Sequence, residues 1–306
     1  MLRYVGRRLL LGLLALFGVS LITFVATHLS GEATWLLVPM DASAAEIAAV
    51  RARYGLDLPL FQQYVIYLGN VLGGDFGTSI KYRVPVLELV WSRVPATLVL
   101  AGTGFLLALV TGTALGITAA VHRGSRLDTG VTLFGLVGQA MPGFWVAIML
   151  QLVFAVQLGW LPTGGSGSIP QMVLPVIAVS WFSIAAFMRL TRSAMLDVLG
   201  SDYVKLARLK GNPERVVILR HAFRNALIPL VTFAGLNLAA LLGGTVVIET
   251  IFAWPGIGKL MIDAIGSRDY PVVQAGVLVT ATLFILVNLA VDLVYGVLDP
   301  RIRHGR

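Results

Sequence analysis

Cysteine is absent from all 306 residues, which excludes disulfides, a thiolate nucleophile and any cysteine-bound metal. Charge is nearly as scarce: Asp, Glu, Lys and Arg make up 12% of the chain, against roughly a quarter in an average soluble domain. The four histidines, His28, His122, His221 and His304, are scattered with no ligand spacing, so no metal site is expected. Phosphate-binding and nucleophile motifs are missing too. The nearest approach to a P-loop is Gly258-Lys259, where Ala253 stands in place of the first glycine and Leu260 in place of Ser or Thr. ATP hydrolysis by this chain is therefore not expected. Gly164-Gly165-Ser166-Gly167-Ser168 fails the Gly-x-Ser-x-Gly pattern at its last position and reads as a loop. No catalytic residue, cofactor site or metal site is assigned.

What remains is apolar. Hydrophobic residues make up 57% of the chain, and mean hydropathy is +0.86. That composition belongs to an all-α polytopic membrane protein, in which each span needs about 20 apolar residues. Six spans are read: Leu9 to Leu29, Pro95 to Val121, Gly130 to Leu158, Gln171 to Met188, Ala226 to Val247 and Val272 to Val294. The first resembles a signal peptide behind Arg3, Arg7 and Arg8, but its apolar run is too long and no small-x-small site closes it. It is read as a retained span. Residues 130–187 contain no charged side chain, and the Gly/Ser cluster at 162–168 divides them into two spans.

The basic residues lie at the edges of these runs. With both termini, the Arg123 turn and the Arg189 to Arg224 loop on one side, sixteen Lys and Arg fall there and seven on the other. The positive-inside rule makes the richer side cytoplasmic, with both termini inside. The chain then divides into residues 1–29, the N-terminus and first span, and residues 30–95, an extracytoplasmic excursion. Residues 96–300 form the core, with a cytoplasmic loop at 189–225, and residues 301–306 are a cytoplasmic tail. The excursion carries helix signals: Ser43 and Glu46 spaced as a capping box with Gly55 to close, Asp57 as a cap before Pro59, and Gly73-Gly74 as a stop. Phe252 and Trp254, beside Pro255-Gly256, are read as interfacial anchors of a second outer excursion, Glu249 to Pro271.

The most basic stretch is Ser201 to Pro229, SDYVKLARLKGNPERVVILRHAFRNALIP. It reads as two short helices. Ser201 or Asp202 caps the first and Gly211 ends it in a left-handed conformation; Asn212 caps the second, with Pro213 at its first position. On the first helix Tyr203, Leu206 and Ala207 fall on one face as a narrow apolar stripe among cations, too small for a core but able to fill a groove. A helix–turn–helix for DNA is the other pattern that fits, but a loop tethered between spans does not suit it and nucleic acid is not expected.

Lys205-Leu206-Ala207 followed by Gly211 resembles the coupling loop of ABC-importer permeases. The wording DYVKLARLKG and RHAFRNALIP resembles the dipeptide, oligopeptide and nickel branch of that family. So do YVGRRLLLGL, YGLDLPLFQQY, GGDFGTS, ETIFAWPGIGKL, SRDYPVVQAG and VYGVLDPRIR, which together cover nearly the whole chain. Lys205 stands where the broad family often has Glu, and the Ile-x-Leu-Pro ending is absent at its usual spacing.

The resemblance implies a type I importer (MetI-like) permease fold in a bacterial inner membrane. It implies a second homologous permease, two cytoplasmic ATPase domains and an extracytoplasmic solute-binding protein as partners, with membrane lipid around the spans. ATPase coupling would fall to Asp202, Tyr203, Lys205, Leu206, Ala207, Arg208, Lys210 and Gly211. Two polar residues inside spans, Asn237 and Gln139, are candidates for the translocation path, with helix packing the competing reading. Asp292 is read as reaching the membrane interface. Arg51, Arg53 and Arg83 are candidates for a binding-protein dock, against a passive lid. The rivals are a secondary transporter, disfavoured because no string of intramembrane acids and cations forms a proton relay, and a membrane-embedded enzyme. Peptides, nickel chelates, opines and glutathione all remain open as cargo.

Overall fold

A computed structural model describes residues 2–29, 43–53 and 57–298. Among them the regular structure is helical, apart from one antiparallel bridge between Thr78 and Pro85. The helices are α1 (Leu2–Leu29), α2 (Ala44–Arg53), α3 (Leu60–Leu72), α4 (Val86–Trp91), α5 (Val94–Val121), α6 (Arg126–Ala140) and α7 (Gly143–Leu150). They continue as α8 (Ile169–Leu199), α9 (Asp202–Leu209), α10 (Glu214–Val216), α11 (Arg224–Ile251), α12 (Ile257–Gly266) and α13 (Tyr270–Leu298). Two π-helical stretches extend them: Gln151–Gln157 follows α7, and Val217–Phe223 joins α10 to α11.

Five stretches are long and apolar enough to cross a membrane: Gly6–Leu29, Val86–Val121, Ile169–Leu199, Glu214–Ile251 and Tyr270–Leu293. A sixth is a bent pair, Arg126–Ala140 and Gly143–Gln157, with 104° between its halves. The uninterrupted span expected over 130–158 is therefore broken. The cause is Met141-Pro142: proline has no N–H to continue the ladder, and its ring pushes the preceding residue out of the helical region. Met141 accordingly sits at φ −85 and ψ 126.

The chain forms two units. One comprises Met1–Thr97 with Pro255–Leu289, the other Leu98–Trp254 with Ala290–Arg306. In the first, α1 is tied to α3 by a Ser20 Oγ–Tyr64 Oη bond of 2.8 Å and a His28 Nε2–Gln63 Oε1 bond of 3.0 Å. Phe24 meets Tyr64 edge-on and Tyr67 at a tilt, and burial pushes the Tyr67 hydroxyl up to about 12. Gln274 Nε2 on α13 donates to Thr27 Oγ1 on α1. The apolar core joins α4, α12 and α13 through Val86, Val90, Ile257, Leu260 and Val272.

A turn ahead of α4 is clipped to the α12–α13 junction. Buried Asp269 accepts from Ser79 Oγ at 2.5 Å and from the Lys81 N–H at 3.1 Å. The capping box forms as expected: Ser43 N donates to Glu46 Oε2 and Glu46 N to Ser43 Oγ. The Ser43 N–H, with the Ser43 hydroxyl also donating to Oε2, holds the Glu46 carboxyl below its ordinary range. Asp57 does not cap. The cap position of α3 is Pro59, with no side-chain bond to the helix end. Gly73 and Gly74 close α3 as expected, Gly74 at φ +81. Gly55 lies outside the described residues.

The second unit is built on α8, the most buried of the apolar helices. A capping box of Ser168 and Gln171 starts it. α5 lies against it through small residues: a Cβ on Gly112 would come within 2.7 Å of Ile184 O, and one on Gly116 within 2.6 Å of Met188 O. Such close approach of backbones is how helices gain contact where lipid competes for every apolar side chain. Phe187 on α8 meets Phe105 on α5 and Phe233 on α11 edge-on. At the start of α6, Asp128 accepts two bonds from the Arg192 guanidinium, 2.7 and 2.9 Å, and one from the Gly124 N–H. Phe252 and Trp254, expected as interfacial anchors, are instead buried, 0% and 3% exposed. Phe252 O accepts the Gly165 N–H, which ties the loop after α7 to the end of α11.

Candidate functional site

The basic loop builds a short, firmly seated helix. Ser201 takes the cap position of α9 with extended backbone, but its Oγ bonds back to Val198 O rather than forward to the helix. The eight residues of α9 split cleanly by burial. Val204 and Ala207 are buried, 0% and 6% exposed, in a core with Met195, Val217, Ala222 and Ala226. Tyr203 and Leu206 face outward at 43% and 53% exposure, joined by Leu209 at 84%. The outward apolar stripe is therefore Tyr203, Leu206 and Leu209. Ala207 turns inward because it lies one turn from Val204 at i+3, on the face that meets the π stretch. Leu209 was legible as the next i+3 position after Leu206 and was missed.

The turn after α9 follows its glycine. Gly211 adopts φ +77, the left-handed conformation expected of it. Asn212 does not cap the second helix. Its Nδ2 donates to Ala207 O at 2.8 Å and so closes the C-terminus of α9. Pro213 takes the cap position ahead of α10. The second helix is not short either: α10, the π stretch and α11 run on as one apolar rod, Glu214–Ile251. Only Lys210–Pro213 separate α9 from this helix of membrane-spanning length.

Polar contacts steady the outer face. Arg208 Nη2 donates to Glu214 Oε1 at 2.7 Å, and this bond raises the Arg208 guanidinium above its ordinary value. Lys205 Nζ reaches Asp202 Oδ1 at 2.9 Å, and Asn225 Nδ2 reaches the Tyr203 hydroxyl at 2.8 Å. Exposed pairs like the first two contribute about 0–1 kcal/mol. Lys210, Tyr203 and Leu206 are exposed beside them.

The other candidate residues lie apart. Asn237, 8% exposed on α11, donates through Nδ2 to Ser183 Oγ on α8 at 2.9 Å, so the packing role read for it is present. It also lines an open cavity of ≈ 370 Å³ with Gly143, Phe144, Phe182, Ser183 and Gly244. Gln139 is half-buried on α6 and is not among the residues lining that cavity. Arg83 is exposed and sits at φ +56. Arg51 and Arg53 lie on α2, their side chains outside the described residues.

Helices of membrane-spanning length in both units, with a displayed amphipathic helix between two of them, define a multi-pass membrane protein. Two family models match the chain: "Binding-protein-dependent transport system inner membrane component" over residues 112–304, and the corresponding N-terminal model over residues 1–101. The dipeptide transport system permease protein DppB of Alkalihalophilus pseudofirmus is 40% identical, over 99% of this chain and all of that one. The oligopeptide permease AppB of Bacillus subtilis is 39% identical over 98% and 99%. The glutathione permease GsiC of Salmonella choleraesuis is 44% identical over 99% and 100%.

Among solved structures, the MetNI methionine ABC transporter in inward-facing conformations matches with a TM-score of 0.57 at 16% identity, over 70% of this chain and 97% of that one. That likeness is one of fold. The chain belongs to the family of binding-protein-dependent transport system inner membrane components. It is the membrane component of an ABC importer of the MetI-like fold. As the family's membrane component it is not the ATPase, and the family works with ATPase subunits and a solute-binding protein.

Proposed function

We propose that this chain carries peptides or closely related small solutes across a bacterial inner membrane. It would form the path with a second, homologous permease and be driven by two cytoplasmic ATPase domains. The reading of cargo is supported by relatives named for dipeptides, oligopeptides and glutathione. The observation that carries the mechanism is the division of α9. Val204 and Ala207 lock it into the permease core, while Tyr203, Leu206 and Leu209 are displayed for a partner.

Asp202, Tyr203, Lys205, Leu206, Arg208 and Lys210 form the docking surface in this reading, and Ala207 and Gly211 hold it in place. ATP-driven closure of the ATPases pushes on α9, and the continuous rod from Glu214 to Ile251 carries that push into the membrane. The chemistry is a helix laid in a groove, with rim charges setting orientation. In this reading both termini and this loop are cytoplasmic, which the Lys/Arg asymmetry supports. The excursion over residues 30–95, with Arg83 exposed and Arg51 and Arg53 on α2, receives the solute-binding protein in this reading.

The test is co-purification and coupled transport with Leu206→Asp, which places a charge in the partner groove. Membrane insertion should be normal, ATPase subunits should co-purify poorly, and import should be lost. Wild-type import in that variant would refute the coupling role of α9.

A further inference from the structure

The sequence of α3, LFQQYVIYLGNVL, holds no charged residue, and the helix lies beside a span rather than beyond its end. α1 opens with Arg3, Arg7 and Arg8. Its apolar run then extends from Leu9 to Leu29, about 30 Å, which matches the hydrocarbon core. The arginines mark one boundary and Leu29 the other. α3 packs on the Leu29 half of that run. Tyr64 meets Phe17, Ser20 and Phe24, and Tyr67 meets Phe24. Ser20 lies about 14 Å inside the Leu29 end, deeper than a tyrosine side chain reaches from outside the boundary.

The polar atoms along this contact satisfy one another, as hydrocarbon requires. Ser20 Oγ donates to Phe17 O at 2.7 Å, so in the Ser20–Tyr64 bond the tyrosine hydroxyl is the donor. Nearer the end of α1, Gln63 Oε1 meets His28 Nε2 and Gln63 Nε2 donates to Leu58 O at 2.8 Å.

α3 has three faces. Gln63, Tyr64 and Tyr67 meet α1. Phe61, Val65, Leu68 and Leu72 recur at i, i+4, i+7 and i+11 and share a second face. Phe61 and Leu72 are 76% and 82% exposed. Gln62, Gly69 and Asn70, all exposed, lie on the third. The apolar face is continuous with exposed apolar residues of the span: Leu21, Val25 and Leu29 of α1 and Leu60 and Phe61 of α3 line one cavity of ≈ 190 Å³.

A contiguous apolar face of this kind is unfavourable in water and at home in hydrocarbon. Its residues are also the wrong shape for another helix. Helix contacts in a membrane are made by small residues, as Gly112 and Gly116 are against α8. The α3 face is bulky throughout. We propose that α3 lies within the leaflet at the C-terminal end of α1, and that its Phe61–Leu72 face and the groove beside α1 hold phospholipid acyl chains. Gln62, Gly69 and Asn70 turn toward the headgroups. This takes α3 out of the aqueous excursion read for residues 30–95.

The test is spin labelling of the whole transporter, this chain with cysteine-free ATPase and permease subunits, in nanodiscs of phosphatidylethanolamine and phosphatidylglycerol. The chain itself has no cysteine. Phe61→Cys and Val65→Cys carry the labels, at exposed positions where no packing is lost. Ile22→Cys, exposed on α1, is the lipid reference, and Lys81→Cys, exposed in the turn ahead of α4, the aqueous one. Oxygen concentrates in lipid, and a nickel chelate stays in water. The ratio of oxygen to nickel collisions at Phe61→Cys and Val65→Cys should be several-fold above that at Lys81→Cys and close to that at Ile22→Cys. Phospholipids with brominated acyl chains should quench a bimane at the same two positions and not at Lys81→Cys. Val65→Asp should lower the yield of assembled complex several-fold, since it places a charge in hydrocarbon, while Gln62→Asp should not.

Nickel access at Phe61→Cys and Val65→Cys equal to that at Lys81→Cys places α3 in water and overturns the proposal. Protection from both oxygen and nickel, without bromine quenching, shows a protein on this face and overturns the lipid assignment. Equal yields of Val65→Asp and Gln62→Asp count against it in the same way.

Discussion

Gly211 gives the most discriminating test of how α9 is held. It sits at φ +77, and a Cβ built on it would find no heavy atom within 4 Å. Substitution there therefore tests backbone strain alone, free of steric clash. A side chain in the left-handed region costs roughly 1–2 kcal/mol, more for a β-branched residue and least for Asn. One or two kcal/mol corresponds to about a 5- to 30-fold fall in the population of the intact turn. The bonds at stake are Gly211 N–H to Arg208 O at 2.9 Å, Lys210 N–H to Leu206 O at 3.1 Å and Asn212 Nδ2 to Ala207 O at 2.8 Å. Hydrogen exchange at Lys210 and Gly211 should accelerate in the order Asn, Ala, Val. The number of ATP molecules hydrolysed per solute imported should rise in the same order, with the spans unaffected. Wild-type exchange and coupling in Gly211→Val would refute the strain argument. Equal damage from Asn and Val would shift the cause to a side-chain collision with the docked partner.

Sidedness can be read by thiol labelling, since the chain has no native cysteine. Cys at Ser43 or Gly266 should react with an impermeant reagent in whole cells, and Cys at Ser201 or Gly124 should not; outside labelling at Ser201 would invert the topology. Gly116→Leu would force α5 away from α8, where a Cβ already meets Met188 O at 2.6 Å. It should cost about 1–3 kcal/mol, visible as a lower Tm in detergent, while Gly102→Leu, with open space around its Cβ, should not. The Glu46 carboxyl is held below its ordinary range chiefly by the Ser43 N–H. Its folded pKa lies under the unfolded one, so the stabilisation of α2 is present above the ordinary carboxylate range and lost as pH falls below it. Exchange at the first amides of α2 should speed up on acidification, and Glu46→Gln should abolish that dependence.

The sequence by itself determined the class of protein, the number of apolar runs and the place of the displayed loop. These are carried by composition, by stretches of about 20 apolar residues and by local signals within one turn of a helix. The Ser43 capping box and the left-handed Gly211 are of this kind, because their partners lie three or four residues away. Several failures involve a choice between partners or surroundings. Asn212 could serve the helix before it or after it, and the carbonyl of Ala207 won. Ala207 could face out or in, and the core with Val217 and Ala222 decided. Phe252 and Trp254 had the composition of interfacial anchors, but the end of α11 buried them.

Pro142 was visible as a proline and marks the break, but the 104° between the two halves was not legible from it. Ser79 and Asp269 stand 190 residues apart, and no local pattern links them. The same holds for the cavity that brings Gly143, Ser183 and Asn237 together from three helices. Short-range periodicity fixes which residues form helices and which faces are apolar. Which face meets which is settled by packing among helices that are distant in the chain, and that information resides only in the tertiary structure.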